Sequence, residues 1–181
     1  KPAVDEIARF VPAIIVTHPL APRDNPALYR LLGGIFGCMA RAGQLCDEFE
    51  RAYDDVVAAS AGLPRQKVLY LIWRKPWMTV ARDTYISRTL ALIGWDTLPA
   101  SACLRYPEIE LDEALVTGAE RILLSSEPYR FRDRDVASVQ KLLPPGTHCA
   151  VSLIDGEMTS WYGSRAIRGL RHLAQLRRGG R

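Results

Sequence analysis

The segment Trp73-Arg74-Lys75-Pro76-Trp77-Met78 carries the side chains best suited to recognition chemistry, two indole rings beside two cations. It follows Val68-Leu69-Tyr70-Leu71-Ile72, an apolar run typical of a buried strand, and Pro76 favours a loop after that strand. Rings on such a loop either pack inward as hydrophobic plugs or form a ligand platform. Open α/β folds bind ligands at this carboxyl edge of the sheet. Both interpretations stay open at this point.

Further aromatic and charged side chains follow other predicted strands or precede a predicted helix. They are Tyr106, Glu127, Tyr129 and Trp161. Loops at the carboxyl ends of parallel strands meet at one edge of a sheet, so we expect these side chains to converge on one rim with the tryptophan loop. Tryptophan, tyrosine and arginine are enriched where a surface buries a partner. Cations can stack on ring faces or pair with acidic ligand groups.

Signatures of catalysis and metal binding are weak by comparison. The sequence has no G-x-S-x-G elbow, phosphate-binding loop or G-x-G-x-x-G fingerprint, and its histidines His18, His148 and His172 are isolated from one another. Its four cysteines include no C-x-x-C pair and give no zinc pattern. The sequence therefore predicts a chain that is not an enzyme and holds no metal and no intrinsic cofactor.

Composition limits the class of protein and of partner. The 181 residues are 48% apolar, enough for a sizeable core, and the net charge of +4 is modest. Part of that charge lies in the C-terminal arginines, so charge gives no good case for nucleic acid. No apolar run approaches the ~20 residues needed to span a membrane. Residues 1–8 contain no signal-peptide core, and we expect that the start of a longer protein is missing.

Strands and helices alternate along the chain as in α/β proteins. An amphipathic stripe predicts a long helix over residues 39–60, and a final helix is predicted over 164–177. Strands are predicted at residues 13–17, 67–72, 121–126 and 149–154, with a short one at 79–81. Repeated strand-to-helix units from residue 66 onward indicate a mostly parallel sheet covered by helices.

Capping residues predict where several helices begin. Asn25 before Pro26 predicts the N-cap of a helix that ends near Gly37. Asp83 is expected to cap the next helix, and Asp133 or Asp135 a helix over residues 136–143. Another short helix is predicted within residues 109–116, whereas Asp155-Gly156 is explained as a turn.

Four motifs in this order resemble those of the periplasmic substrate-binding proteins of cobalamin and iron-siderophore ABC importers, the helical-backbone metal receptor family. They are Ile72-Trp73-Arg74-Lys75-Pro76-Trp77-Met78, Arg105-Tyr106-Pro107-Glu108-Ile109, Leu124-Ser125-Ser126-Glu127-Pro128-Tyr129, and Asp155-Gly156-Glu157 with Ser160-Trp161-Tyr162-Gly163. The likeness covers residues 66–176. Before residue 66 it depends on the order of helices and the long helix.

The resemblance implies an α/β fold with a Rossmann-like C-terminal lobe at residues 63–181. A long linking helix at 39–62 and an incomplete N-terminal lobe at 1–38 would precede it. It also implies a periplasmic protein that captures cobalamin or a ferric chelate, its transported ligand, and delivers it to an inner-membrane ABC transporter permease. A half-open cleft would enclose less of its ligand, so weak affinity is expected of this chain.

The implied ligand-binding residues are Trp73, Arg74, Trp77, Tyr106, Glu127, Tyr129 and Trp161. Docking to the permease would involve Asp112 and Glu113. A carboxylate favoured at a helix start explains Asp112 equally well. The alternatives are an α/β enzyme domain and a protein-interaction domain that uses the same aromatic rim.

Overall fold

A parallel four-stranded sheet forms the centre of the chain in a computed structural model, which describes residues 2–179. Its strands are β1 (Gln66–Leu71), β3 (Trp95–Thr97), β5 (Arg121–Ser125) and β6 (Ala150–Ile154), in the spatial order β3-β1-β5-β6. A separate antiparallel pair joins β2 (Trp77–Met78) to β4 (Glu108–Ile109). The predicted α/β class with a mostly parallel sheet is confirmed.

Strand β1 shows why the sheet must be covered on both faces. Val68 and Tyr70 belong to one hydrophobic core, whereas Leu69 and Leu71 belong to a second core on the opposite face. All four side chains are fully buried. Because successive side chains of a strand point to opposite faces, an uninterrupted apolar strand requires helices on two sides.

The helices of the described residues occupy both faces and the ends of the sheet. They are α1 (Pro2–Ile7), α2 (Asn25–Ile35), α3 (Met39–Ser60), α4 (Tyr85–Ala91), α5 (Glu113–Thr117), α6 (Asp133–Gln140), α7 (Gly156–Ser160) and α8 (Ser164–Arg178). A single 3-10 turn at Pro22–Asp24 leads into α2. Helices α3 and α8 pack against each other over the first core, and α6 covers the second.

The longest helix, α3, has the bounds that the sequence predicts. Its buried stripe includes Phe49 and Val56, which enter the same core as Leu170 and Leu173 of α8. Burial of one apolar stripe, with polar residues on the opposite face, is what stabilises a surface helix of this length. The predicted final helix is also confirmed.

The predicted strand at residues 13–17 is wrong. This segment is irregular, and Ile15 and Val16 are exposed. Branched apolar residues form a strand when cross-strand neighbours pack against them, and neither described sheet pairs with this segment. No regular strand forms at 79–81 either, since β2 ends at Met78, although Thr79 N and Ala81 N still donate to the carbonyl oxygens of Pro107 and Arg105 at 3.1 and 2.8 Å.

Several helices start at residues other than those predicted from capping patterns. Asn25 is the first residue of α2, not its cap, and Asp24 precedes it. Thr84 caps α4 in place of Asp83, and its Oγ1 accepts a hydrogen bond from Ser87 N at 3.2 Å. The helix predicted within residues 109–116 begins only at Glu113, because Glu108–Ile109 pairs as β4.

Helix α6 begins three residues before its predicted start, with Arg132 at the cap position. Asp135 accepts a hydrogen bond from the backbone N of Arg132 at 3.0 Å. The aspartate therefore stabilises the first turn from inside the helix, and neither Asp133 nor Asp135 is its cap.

Close packing of α8 on α7 gives a prediction for stability. A methyl group at Gly169 would overlap the carbonyl oxygen of Met158, whereas one at Gly43 of α3 meets nothing within 4 Å. Gly169→Ala should lower the free energy of unfolding by about 1–3 kcal/mol through overpacking. Gly43→Ala should leave it unchanged or raise it by up to about 1 kcal/mol, because alanine favours the helix. Urea unfolding of both variants checks this, and equal effects would contradict the packing.

Candidate functional site

An apolar cavity of ≈ 650 Å³ opens beside the carboxyl edge of the sheet. Its apolar and aromatic lining includes Leu28 and Leu32 of α2, Ile86 of α4, and Trp161 and Tyr162 between α7 and α8. This volume lies within the range of sites that enclose small molecules, about 300–1,000 Å³. The cavity is therefore the candidate functional site.

Glu127 lies at the cavity and holds two of its loops together. Its Oε1 accepts hydrogen bonds from Trp161 Nε1 and from Ser160 Oγ, both at 2.7 Å. Glu127 follows β5 and Trp161 follows α7, so these bonds connect the ends of two neighbouring strand-to-helix units. An indole N–H bonded to a carboxylate fixes the direction of the ring, because charge-assisted hydrogen bonds are strong and directional.

The turn after β6 approaches Glu127 so closely that it requires glycine. A Cβ atom at Gly156 would lie 2.6 Å from Glu127 Cγ and would also overlap Ser125 Oγ. Gly156 N donates to Ser126 Oγ at 2.9 Å, and Asp155 accepts from Glu157 N at 3.0 Å as the cap of α7. The prediction of a simple turn at Asp155-Gly156 is therefore wrong, since it begins a helix that positions Ser160 and Trp161.

A buried hydroxyl network supports these loops from below. Tyr70 Oη donates to Ser125 Oγ at 3.0 Å and lies 2.7 Å from Thr159 Oγ1. Ser125 Oγ in turn donates to the carbonyl oxygen of Glu127 at 2.7 Å. Burial raises the pKa of Tyr70 to about 12, so the phenol keeps its proton at physiological pH and remains a donor.

Asn25 is a positioning residue that sequence reasoning missed. Its buried amide donates from Nδ2 to Pro22 O at 2.8 Å and to Tyr85 Oη at 3.0 Å. Its Oδ1 accepts from Gly163 N at 2.7 Å, which ties the start of α2 to the segment after Tyr162. Asn25 before Pro26 has the sequence pattern of a helix cap. Its contact with Gly163 joins residues 138 positions apart, for which the sequence gives no local indication.

Of the seven predicted ligand-binding residues, Glu127 and Trp161 line the cavity. Trp161 is 45% exposed and can present its ring to a ligand. Tyr106 lines a smaller cavity of ≈ 150 Å³ that shares Ile86, Ser160 and Tyr162 with the larger one. The structure thus places Tyr106 next to the candidate site.

Trp73, Trp77 and Tyr129 form an aromatic ladder with Phe131 that is not part of the cavity lining. Trp73 meets Tyr129 edge-on at 5.6 Å, Tyr129 lies 4.7 Å from Phe131, and Phe131 stacks on Trp77 at 6.1 Å between centroids. Trp77 and Tyr129 are half-buried against the second core, whereas Trp73 is 39% exposed. Both interpretations of the tryptophan loop therefore apply in part. Trp77 packs inward against the second core, whereas the ring of Trp73 is accessible to solvent.

Arg74 is held by a buried partner. Its guanidinium forms an ion pair with Asp135, whose side chain is 1% exposed. This pair attaches the tryptophan loop to the first turn of α6. Contact with the ligand is the role predicted for Arg74. It would require the guanidinium to bind the ligand and Asp135 at the same time.

The two residues predicted to dock on a permease lie at the start of α5. Asp112 Oδ1 accepts a hydrogen bond from Leu115 N at 2.8 Å, as a carboxylate at a helix start does. The side chain of Glu113 lies outside the described residues. Their docking role stays a prediction.

Comparison with solved structures gives close structural matches at low sequence identity. The periplasmic vitamin B12 binding protein of Vibrio cholerae superposes with a TM-score of 0.79 and 14% identity, over 97% of this chain and 69% of that one. This is the fold of the periplasmic substrate-binding proteins. The resemblance found in the sequence is therefore confirmed at the level of the fold.

Two haem-binding proteins with this fold match almost as well. The periplasmic heme-binding protein of Roseiflexus sp. gives a TM-score of 0.77 at 16% identity, over 98% of this chain and 70% of that one. The periplasmic heme binding protein of Pseudomonas aeruginosa gives 0.75 at 18% identity, over 98% and 68%. Neither protein-family models nor curated protein sequences give a significant match.

Neither a metal site nor a membrane-spanning helix is present among the residues that the structure describes. Among the side chains that the structure describes, no group of three or more histidine, cysteine, aspartate or glutamate residues is placed to hold a metal ion. In the same part of the chain, no helix has the length and apolar character required to cross a bilayer.

The Arg74–Asp135 pair gives a prediction for the tryptophan loop. Arg74→Gln should lower the free energy of unfolding by about 2 kcal/mol, because it leaves a buried carboxylate without its cation. Arg41→Gln, which breaks the exposed pair with Glu48 at 3.5 Å, should cost less than about 1 kcal/mol. Thermal and urea unfolding measure both. A loss for Arg74→Gln no larger than for Arg41→Gln would contradict the assigned burial.

Proposed function

We propose that this chain is an extracytoplasmic solute-binding protein that captures cobalamin or a related metal chelate for an ABC importer. The observation that carries the proposal is the apolar cavity of ≈ 650 Å³ with Trp161 held at its wall by Glu127. Its place beside the carboxyl edge of a parallel sheet is where open α/β folds bind ligands. The proteins that share the fold bind vitamin B12 or haem, both large flat metal complexes.

Binding in this site would use ring contacts and a few fixed polar groups. Trp161 and Tyr162 offer apolar area with little freedom to lose, because each side chain has only two rotatable bonds before the ring. Tyr106, in the adjoining smaller cavity, extends the contact surface for a ligand broader than the main cavity. Trp73, 39% exposed at the end of the ladder, lies outside the lining of both cavities, and its contact with the ligand stays a prediction.

The domain division and mechanics follow from the same proposal. Residues 1–38 would belong to a first lobe, 39–62 to the linking helix and 63–181 to the ligand-binding lobe. The rigid rod α3 limits how far two lobes can move, so we expect little closure on binding. Neither the enzyme nor the interaction-domain alternative gains support from proteins of this fold.

Delivery requires a partner and a compartment. We propose a periplasmic protein that presents its ligand to an inner-membrane permease, with Asp112 and Glu113 at the docking surface. The related folds come from periplasmic proteins, which favours this compartment. No nucleic acid partner is proposed.

Titration of the chain with cyanocobalamin tests the proposed site. Trp161→Ala should weaken binding by at least about tenfold, because it removes the ring that faces the cavity. Leu142→Ala is the matched control, since Leu142 is also exposed but does not line the cavity, and it should leave affinity unchanged. Absence of binding by the wild-type chain at about 1 mM ligand, or equal affinities for both variants, would contradict the proposal.

A further inference from the structure

Glu127 gives the cavity a negative charge that its other lining residues do not balance. Within the described residues, the lining otherwise consists of apolar, aromatic, hydroxyl and glycine side chains. A carboxylate in an otherwise apolar wall interacts with whatever charge a ligand brings, and the bound ligand displaces part of the water that screens the two charges. The sign of this charge therefore bears on which ligands can enter.

One oxygen of that carboxylate is available for a ligand. The hydrogen bonds from Trp161 and Ser160 both reach Oε1. In the part of the chain that the structure describes, no side chain or backbone group is bonded to Oε2. An ionised carboxylate only accepts hydrogen bonds, so Oε2 favours a ligand N–H or O–H group and disfavours a ligand carboxylate.

The two arginines next to the cavity differ in how closely a protein carboxylate pairs them. Arg165 lies over the Trp161 ring, 4.4 Å from its centroid, and forms an ion pair with Glu157. Arg105 of the smaller cavity lies 3.8 Å from Asp83, and its Nη1 contacts His18 Nε2 at 2.9 Å. Neither arginine lines the main cavity, in which Glu127 is the one charged lining residue among those described.

Given the proposed function, on which this inference rests, we propose that the site selects a metal macrocycle edged by amides over one edged by carboxylates. A primary amide donates to Glu127 Oε2 without bringing a charge into the apolar cavity. A carboxylate there would face a like charge and lose its hydration. Amidated corrinoids fit this rule, whereas haem, whose edge carries two propionates, does not.

Two probes with the same metal and ring separate the chemistry. Dicyanocobinamide carries amides around the corrin, and dicyanocobyrinic acid carries carboxylates at those positions. The wild-type chain should bind the cobinamide at least about tenfold more tightly at neutral pH, measured by absorbance titration. Haemin, offered as a second carboxylate-edged probe, should bind no more tightly than the cobyrinic acid.

Glu127→Gln tests whether this carboxylate sets the preference. The glutamine carbonyl can still accept from Trp161 and Ser160, so the loops keep their bonds while the charge is lost. The ratio of affinities for the two probes should fall by about tenfold. Glu110→Gln removes the same charge from an exposed position that does not line the cavity and should leave the ratio unchanged.

The outcomes distinguish the two proposals. Failure of the wild-type chain to bind any of the three probes would overturn the proposed function. Binding of both corrinoids with equal affinity would overturn only the selection of amides. A ratio that Glu127→Gln leaves unchanged, or that Glu110→Gln shifts equally, would overturn it too. Near-ultraviolet circular dichroism of the Glu127→Gln chain establishes whether the Trp161 environment is retained.

Discussion

The pair of hydrogen bonds that Glu127 accepts is the constraint on which the candidate site depends. One carboxylate oxygen holds Trp161 and Ser160, and so connects the loop after β5 to the end of α7. Without this contact the tryptophan ring would have no fixed direction, and the cavity would lose a wall. The same carboxylate supplies the charge that, in the proposed function, selects among ligands, so the geometry and the proposed chemistry of the site have one origin.

The contact is possible because the strands below it are parallel and adjacent. Strands β5 and β6 pair in register from Arg121 to Ser125, which brings their following loops side by side. Gly156 permits an approach that a Cβ atom would prevent, and the phenol of Tyr70 is bonded to Ser125 beneath them. Sequence positions about thirty residues apart therefore act as one rigid unit, which lowers the entropic cost of ordering a binding surface.

Sequence patterns predicted the elements that depend on local periodicity. The apolar stripe of α3 and the apolar run of β1 both correspond to observed elements. Each pattern depends on residues close together in the sequence, so a short stretch of chain is enough to reveal it. The segment 13–17 has the composition of a strand but lacks a partner. Asn25 and Gly156 act through residues distant in sequence, and no local pattern shows such contacts. The sequence predicts Trp73 and Trp161 on one rim, because it does not show how far apart the loops after different strands lie. Of the two, only Trp161 lines the cavity.

The side-chain indole signals of the four tryptophans offer the most direct test that the cavity is the binding site. In a proton–nitrogen correlation spectrum recorded during addition of cyanocobalamin, the Trp161 indole should shift most. The Trp95 indole, which is buried and bonded to Gln66, should stay in place. A Trp161 signal that does not move while the ligand binds would contradict the account.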